Sequence, residues 1–121
     1  MKKIVLIDPD SEVRMVGQNA LEYAGYEVHT AAEGYSGMHL VRQQKPDVVV
    51  VDLMTPGKHG YALCQEIHDD HSLNHAKVII CSTKAYPSDI KKAKELGADA
   101  YLLKPYRGDE ILNEVQSALN P

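Results

Sequence analysis

The sequence predicts an α/β domain of five strand–helix units, (βα)5, wound into one doubly wound parallel sheet with helices on both faces. Three observations carry that expectation. Short apolar runs alternate five times with segments whose apolar residues recur at helical spacing, the pattern of right-handed strand–helix–strand crossovers. The run Val48-Val49-Val50-Val51 is apolar throughout, as a strand covered on both faces requires. Four of the runs also end on a polar residue: Asp8, Asp52, Ser82 and Lys104.

The elements follow in order. Residues 4–7 form the first strand. Val13, Val16, Gly17, Ala20, Leu21 and Ala24 then share one helical face, and Gly25 ends that helix in the C′ position, where a residue without Cβ is favoured. Residues 26–30 read as the second strand. The helix over 36–44 stops at Lys45-Pro46, because the residue before a proline resists helical dihedrals. The third strand is 47–52, and the Thr55-Pro56-Gly57 turn leads into a helix over 61–68. A polar connection, 69–77, precedes the fourth strand, 78–81. Pro87-Ser88-Asp89 opens a helix that closes at Leu96-Gly97. The fifth strand is 100–103. Gly108-Asp109 starts the last helix, whose core face is Ile111, Leu112, Val115, Ala118 and Leu119.

Composition bounds the function. A chain of 121 residues with 44% hydrophobic and 25% charged residues is ordinary for one globular domain, 1–121, with one real core. A net charge of −4 argues against a nucleic-acid surface, which is basic. No apolar run approaches the length of a membrane span, about 20 residues, and the four apolar residues after Met1-Lys2-Lys3 are too few for a signal peptide. The expectation is a cytoplasmic protein. Cys64 and Cys81 read as buried, reduced thiols, with a redox pairing between them as the alternative. His68, His71 and His75 lie close in sequence, but a polar run between a helix and a strand reads as a solvated loop rather than a zinc site.

The four strand-end residues carry the chemistry. In an open α/β sheet, ligands bind outside the carboxyl ends of the strands. Two carboxylates, a hydroxyl and an ammonium gathered at that edge make a site for a phosphoryl group.

Over essentially its whole length the chain resembles the receiver domains of bacterial two-component response regulators, the chemotaxis-regulator-like modules. The motifs stand in order and in register: Asp8 after the first strand, and Asp52 with Pro56 four and Gly60 eight residues on. Ser82 lies thirty residues after Asp52, and Lys104-Pro105 follows twenty-two after Ser82, preceded by Gly97-Ala98-Asp99-Ala100-Tyr101. The resemblance implies a flavodoxin-like sheet of order 2-1-3-4-5 and a signalling module rather than an enzyme. It implies that Asp52 accepts a phosphoryl group from a sensor histidine kinase or phosphotransfer protein. Mg2+ would be held by Asp8, Asp52 and the Met54 carbonyl. Ser82 and Lys104 would bind the phosphoryl oxygens. Tyr101 would switch the face formed by the fourth helix, fifth strand and fifth helix toward a downstream effector or output domain, a face through which some receivers form homodimers. Met54 and Lys84 hold positions that tune the lifetime of the acyl phosphate, and the Lys104–Pro105 bond is expected to be cis.

One departure stands against these matches. The family's acidic pair falls on positions 8 and 9, and here the chain reads Asp8-Pro9-Asp10. Proline has no ligating side chain and fixes φ, while Mg2+ demands near-octahedral oxygen geometry. Asp10 is the replacement ligand, or else it caps the first helix. The alternative is therefore a degenerate receiver that works by protein contact without phosphorylation. A remote alternative reads Asp8-Pro9-Asp10 as the Asp-x-Asp opening of a haloacid-dehalogenase-like phosphatase, with Asp8 as nucleophile and Asp10 as general acid/base. That reading gives Asp52 no duty and leaves too few acids after Lys104. A flavodoxin-like cofactor binder lacks the Ser/Thr/Gly-rich phosphate loop after the first strand.

Overall fold

The computed structural model describes residues 1–120. Five parallel strands, β1 (Lys3–Ile7), β2 (Glu27–Ala31), β3 (Val48–Asp52), β4 (Lys77–Ser82) and β5 (Ala100–Leu103), form one sheet in the order β2-β1-β3-β4-β5. The helices are α1 (Ser11–Tyr23), α2 (Gly34–Gln44), α3 (Gly60–Asp69), α4 (Pro87–Glu95) and α5 (Gly108–Leu119). This is the fold and strand order that the sequence implied. Strand order reverses beside β1 and β3, which pair from Ile4 against Val48 to Ile7 against Val51. The crevice for a ligand therefore opens above Asp8 and Asp52.

Alternation along each strand divides the core in two. Ile4, Leu6, Val48, Val50, Ile79, Cys81 and Leu102 pack with Leu21, Ile111 and Val115 of α1 and α5. Val5, Ile7, Val49, Val51, Val78 and Ile80 pack with Met38, Val41, Leu63, Cys64, Ile67 and Ala93 of α2, α3 and α4. All five residues of β3 are buried, as the valine run required. The two cysteines lie in different halves, on opposite faces of the sheet, and both are free thiols. The redox pairing is thereby ruled out.

Boundaries move by a residue or two, for local reasons. Helix α1 begins at Ser11 because the Asp10 carboxylate accepts from the Glu12 and Val13 N–H groups. Helix α2 begins at Gly34, capped by the Glu33 side chain. The polar connection after α3 is not simply solvated: His71–Leu73 form a 3-10 turn, capped by Asp70, that buries Leu73. His68, His71 and His75 are all exposed around it, and His75 Nε2 sits 3.2 Å from the Lys45 carbonyl oxygen. No helix among the described residues is long and apolar enough to cross a membrane.

Candidate functional site

Side-chain alternation explains why charged groups converge. On β1, Ile4 and Leu6 point to the α1–α5 face, so Asp8 continues their row one step past the strand. Val48 and Val50 place Asp52 likewise, and Ala100 and Leu102 do the same for Lys104. Each row is apolar until it leaves the core and ionisable where it ends.

The Lys104 ammonium bridges the two carboxylates, with Nζ 2.8 Å from Asp8 Oδ2 and 3.1 Å from Asp52 Oδ1. Asp8 is fully buried and Asp52 only 6% exposed, so these are charge-assisted bonds in a largely dry cleft. Asp8 Oδ1 also accepts from the Asp10 backbone N–H at 2.9 Å, and the Arg14 guanidinium donates to the Asp8 carbonyl at 2.6 Å.

Burial raises the Asp52 carboxyl above its ordinary range. The hydrogen bond and charge of Lys104 and the Met54 N–H oppose that rise, while the neighbouring Asp8 charge adds to it. Burial pulls Lys104 the other way, but its hydrogen bonds and charge pairing with Asp8 and Asp52 more than offset this and hold the ammonium above its usual value. Two acids share one cation, and the cleft keeps an excess negative charge.

Ser82 is buried at the end of β4, and its Oγ accepts from the Lys84 N–H at 3.1 Å. The Tyr101 hydroxyl donates to the Lys84 carbonyl at 2.6 Å, tying β5 to the loop after Ser82 while its ring lies half-buried against the α2–α4 side of the core. Met54 and Lys84 are exposed around the cleft, and the Lys104–Pro105 peptide bond is cis.

Asp10, the expected replacement ligand, is committed elsewhere. Its Oδ1 lies 2.9 Å from the Glu12 nitrogen and 3.4 Å from that of Val13, so the capping alternative describes its position. The acids that do meet are Asp8 and Asp52, and Cys81 joins them: one ligand atom of each lies within 4.8 Å of the others. The sequence reads Cys81 as a buried thiol or a redox partner of Cys64, with no link to the acids. Its signal was parity, since Cys81 precedes Ser82 and shares its row with Ile79 on the face that carries Asp52. Thr55, read only as part of a turn, is buried, and its hydroxyl donates to the Asp52 carbonyl at 2.6 Å, fixing the loop after the strand. Gly60 lets α3 begin against that loop. A Cβ there would lie 2.7 Å from Leu53 Cα and 2.9 Å from the Asp52 carbonyl oxygen.

Comparison with known proteins identifies the family and the fold. The response regulator receiver domain family matches residues 4–116. A probable transcriptional regulator, ycf27, of Guillardia theta is 32% identical over 98% of this chain and 45% of its own length. The transcriptional regulatory protein CseB of Streptomyces avermitilis is 32% identical over 96% of this chain and 48% of its own. The chain thus spans about half the length of the curated relatives it matches. Among solved structures, the chemotaxis response regulator CheY4 of Vibrio cholerae superimposes with a TM-score of 0.92 at 24% identity, covering 98% of both chains, a likeness of fold. Fold and sequence converge on one assignment: the chain belongs to the response regulator receiver domain family, a module of signal transduction.

Proposed function

We propose that Asp52 is a phosphoacceptor and that this receiver relays a phosphoryl group from a phosphohistidine on a sensor kinase or phosphotransfer protein. The Lys104 bridge between Asp8 and Asp52 is the observation that carries the reading. An Asp52 carboxylate oxygen attacks phosphorus, the N–P bond breaks, and the histidine nitrogen keeps the electron pair. A carboxylate meets an anionic phosphoryl group only if that charge is offset, so catalysis here is positioning and electrostatics. Lys104 supplies one fixed cation. The excess negative charge of the cleft suits a divalent cation such as Mg2+, and Asp8, Asp52 and the Met54 carbonyl are the groups to hold it. When bound, that ion would offset the remaining charge on the phosphoryl oxygens.

Ser82 stands at the strand end to hydrogen-bond a phosphoryl oxygen. Donating its proton there, Oγ still has a lone pair for the Lys84 N–H, so its movement draws on Lys84, whose carbonyl also holds the Tyr101 hydroxyl. A charge event at Asp52 thus reaches the α4–β5–α5 face through one loop, a local change biasing a two-state element. That face is the one we assign to a downstream effector, an output domain or a second copy of the chain. Exposed Met54 and Lys84 border the phosphoryl position and would set the lifetime of the acyl phosphate. Cytoplasmic placement fits a partner that carries a phosphohistidine.

Pro9 favours a second reading. It offers no ligand where the family has an acid, and Asp10 caps α1 instead of replacing it. A receiver without a metal would act by protein contact alone. NMR spectra during titration with Mg2+ and then beryllofluoride, in the wild type and in Asp52→Asn, separate the two. Saturable shifts at Asp8, Asp52, Ser82 and Tyr101 that vanish in the variant support the phospho-switch. Unchanged spectra leave the contact module.

A further inference from the structure

We propose that the cleft also binds a thiophilic divalent cation of the zinc, cobalt or cadmium class, with the Cys81 thiolate as third protein ligand beside Asp8 and Asp52. The proposal needs only these three donors and stands apart from whether Asp52 accepts a phosphoryl group. The geometry is on one face of the sheet: a carboxylate oxygen from each acid and Cys81 Sγ all lie within 4.8 Å of one another.

All three side chains are buried, and Cys81 is fully so. Cys64 spends its thiol on the Leu96 carbonyl at 3.5 Å. The Cys81 thiol has no hydrogen bond from another residue among the described residues and is aimed at the two acids.

Donor chemistry sets the class of ion. A hard octahedral ion is best served by side-chain oxygens, and this chain withholds two: Pro9 has no side-chain oxygen, and the Asp10 Oδ1 caps α1. The side chains left to the cleft are two carboxylates and a thiol, a mixed set that suits a four-coordinate ion with a water in the last position. Charge supports the same choice. With a neutral thiol, the two carboxylates outweigh the Lys104 ammonium by one charge. Binding a dication drives the thiol proton to solvent as the metal–sulfur bond forms, and the buried site, Lys104 included, becomes formally neutral. A purely oxygen-bound dication beside an intact thiol would leave it positive.

The test is titration of the full chain with Co2+ in reduced, oxygen-free buffer, following the near-ultraviolet thiolate-to-cobalt charge-transfer band. Wild type and Cys64→Ala should both develop the band, saturating at a single ion per chain and surviving excess Mg2+, while Cys81→Ala should lose it. No band in the wild type, or a band that persists in Cys81→Ala, overturns the proposal. Should Cys81→Ala fail to fold, the cadmium NMR resonance of the wild type decides. A shift in the range for mixed sulfur and oxygen ligation supports the site, and one in the all-oxygen range overturns it. Because beryllofluoride shifts report the phospho-switch separately, either reading can fail without the other.

Discussion

Asp8 Oδ2 and Lys104 Nζ lie 2.8 Å apart although 96 residues separate them in the chain. The pair joins the end of β1 to the residue after β5, across β3 and β4, and so closes the top of the sheet. Removing the cation alone would leave two buried carboxylates facing each other.

Lys104→Met is therefore expected to destabilise the fold at neutral pH by about 3 kcal/mol, the usual loss when one partner of a buried pair is deleted. The deficit should shrink on acidification, as protonation of one acid relieves the repulsion. Chemical denaturation of both proteins at neutral and mildly acidic pH measures it, and an equal loss at both values contradicts the account.

Asp52→Asn should do the reverse. Burial holds the folded Asp52 carboxyl above its ordinary range, so the folded state binds this proton more tightly than the unfolded state does. The stability this contributes is fully present below the unfolded pKa and is lost as pH rises through the raised folded one. Neutral Asn removes the penalty, and in metal-free buffer at neutral pH we expect a gain on the order of 1 kcal/mol, or roughly 4 °C in Tm. The advantage should fade as pH falls below the folded value. A lower Tm for the variant at neutral pH refutes it.

Asp10 tests the division between capping and ligation. Asp10→Ala should cost about 1 kcal/mol, and Asp10→Ser should restore most of it, because Ser also accepts from the N-terminal N–H groups. Divalent-ion affinity should be the same in both variants. A large affinity loss in Asp10→Ser would place Asp10 in the metal shell after all.

Gly60→Ala probes the loop that carries Asp52. Its new methyl meets backbone, the Leu53 Cα and the Asp52 carbonyl oxygen, rather than a side chain that can rotate away. We expect a loss of about 1–3 kcal/mol, together with amide shifts at Asp52 and Leu53. Wild-type stability with unshifted amides would mean that the loop yields freely.

Tyr101→Phe deletes the hydroxyl that holds the Lys84 carbonyl. Stability should fall by about 1 kcal/mol or less. Amide hydrogen exchange in residues 83–86 should quicken while that of β4 stays slow. Equal exchange in the loop would show that the bond restrains nothing.

The sequence made the sheet legible because its signals are local and repeated. Valine runs and apolar rows mark strands, and the order of Asp8, Asp52, Ser82 and Lys104 marks the site. What escaped depended on where side chains turn once the chain is folded. Nothing in the run His68-Asp69-Asp70-His71 shows that Asp70 caps a turn and sinks Leu73. Thr55 looks like any turn residue until its hydroxyl meets the Asp52 carbonyl. Asp10 left ligation and capping open, and only the direction of its carboxylate distinguishes them. Cys81 has the apolar neighbours of a core residue, and its acid neighbours come from strands far away in sequence.

The sheet also acts as a partition. Asp8, Asp52, Lys104 and Cys81 stand above the layer that packs on α1 and α5, whereas Tyr101 leans on the layer that packs on α2, α3 and α4. The sheet lies between the two layers, and at the cleft they meet where Cys81 passes to Ser82. Substitutions at Leu6, Val50 or Ile79 are therefore felt first beneath the acids and Lys104, and those at Ile7, Val51 or Ile80 first in the layer that Tyr101 leans on. One layer can thus be repacked while the sheet holds the other in register.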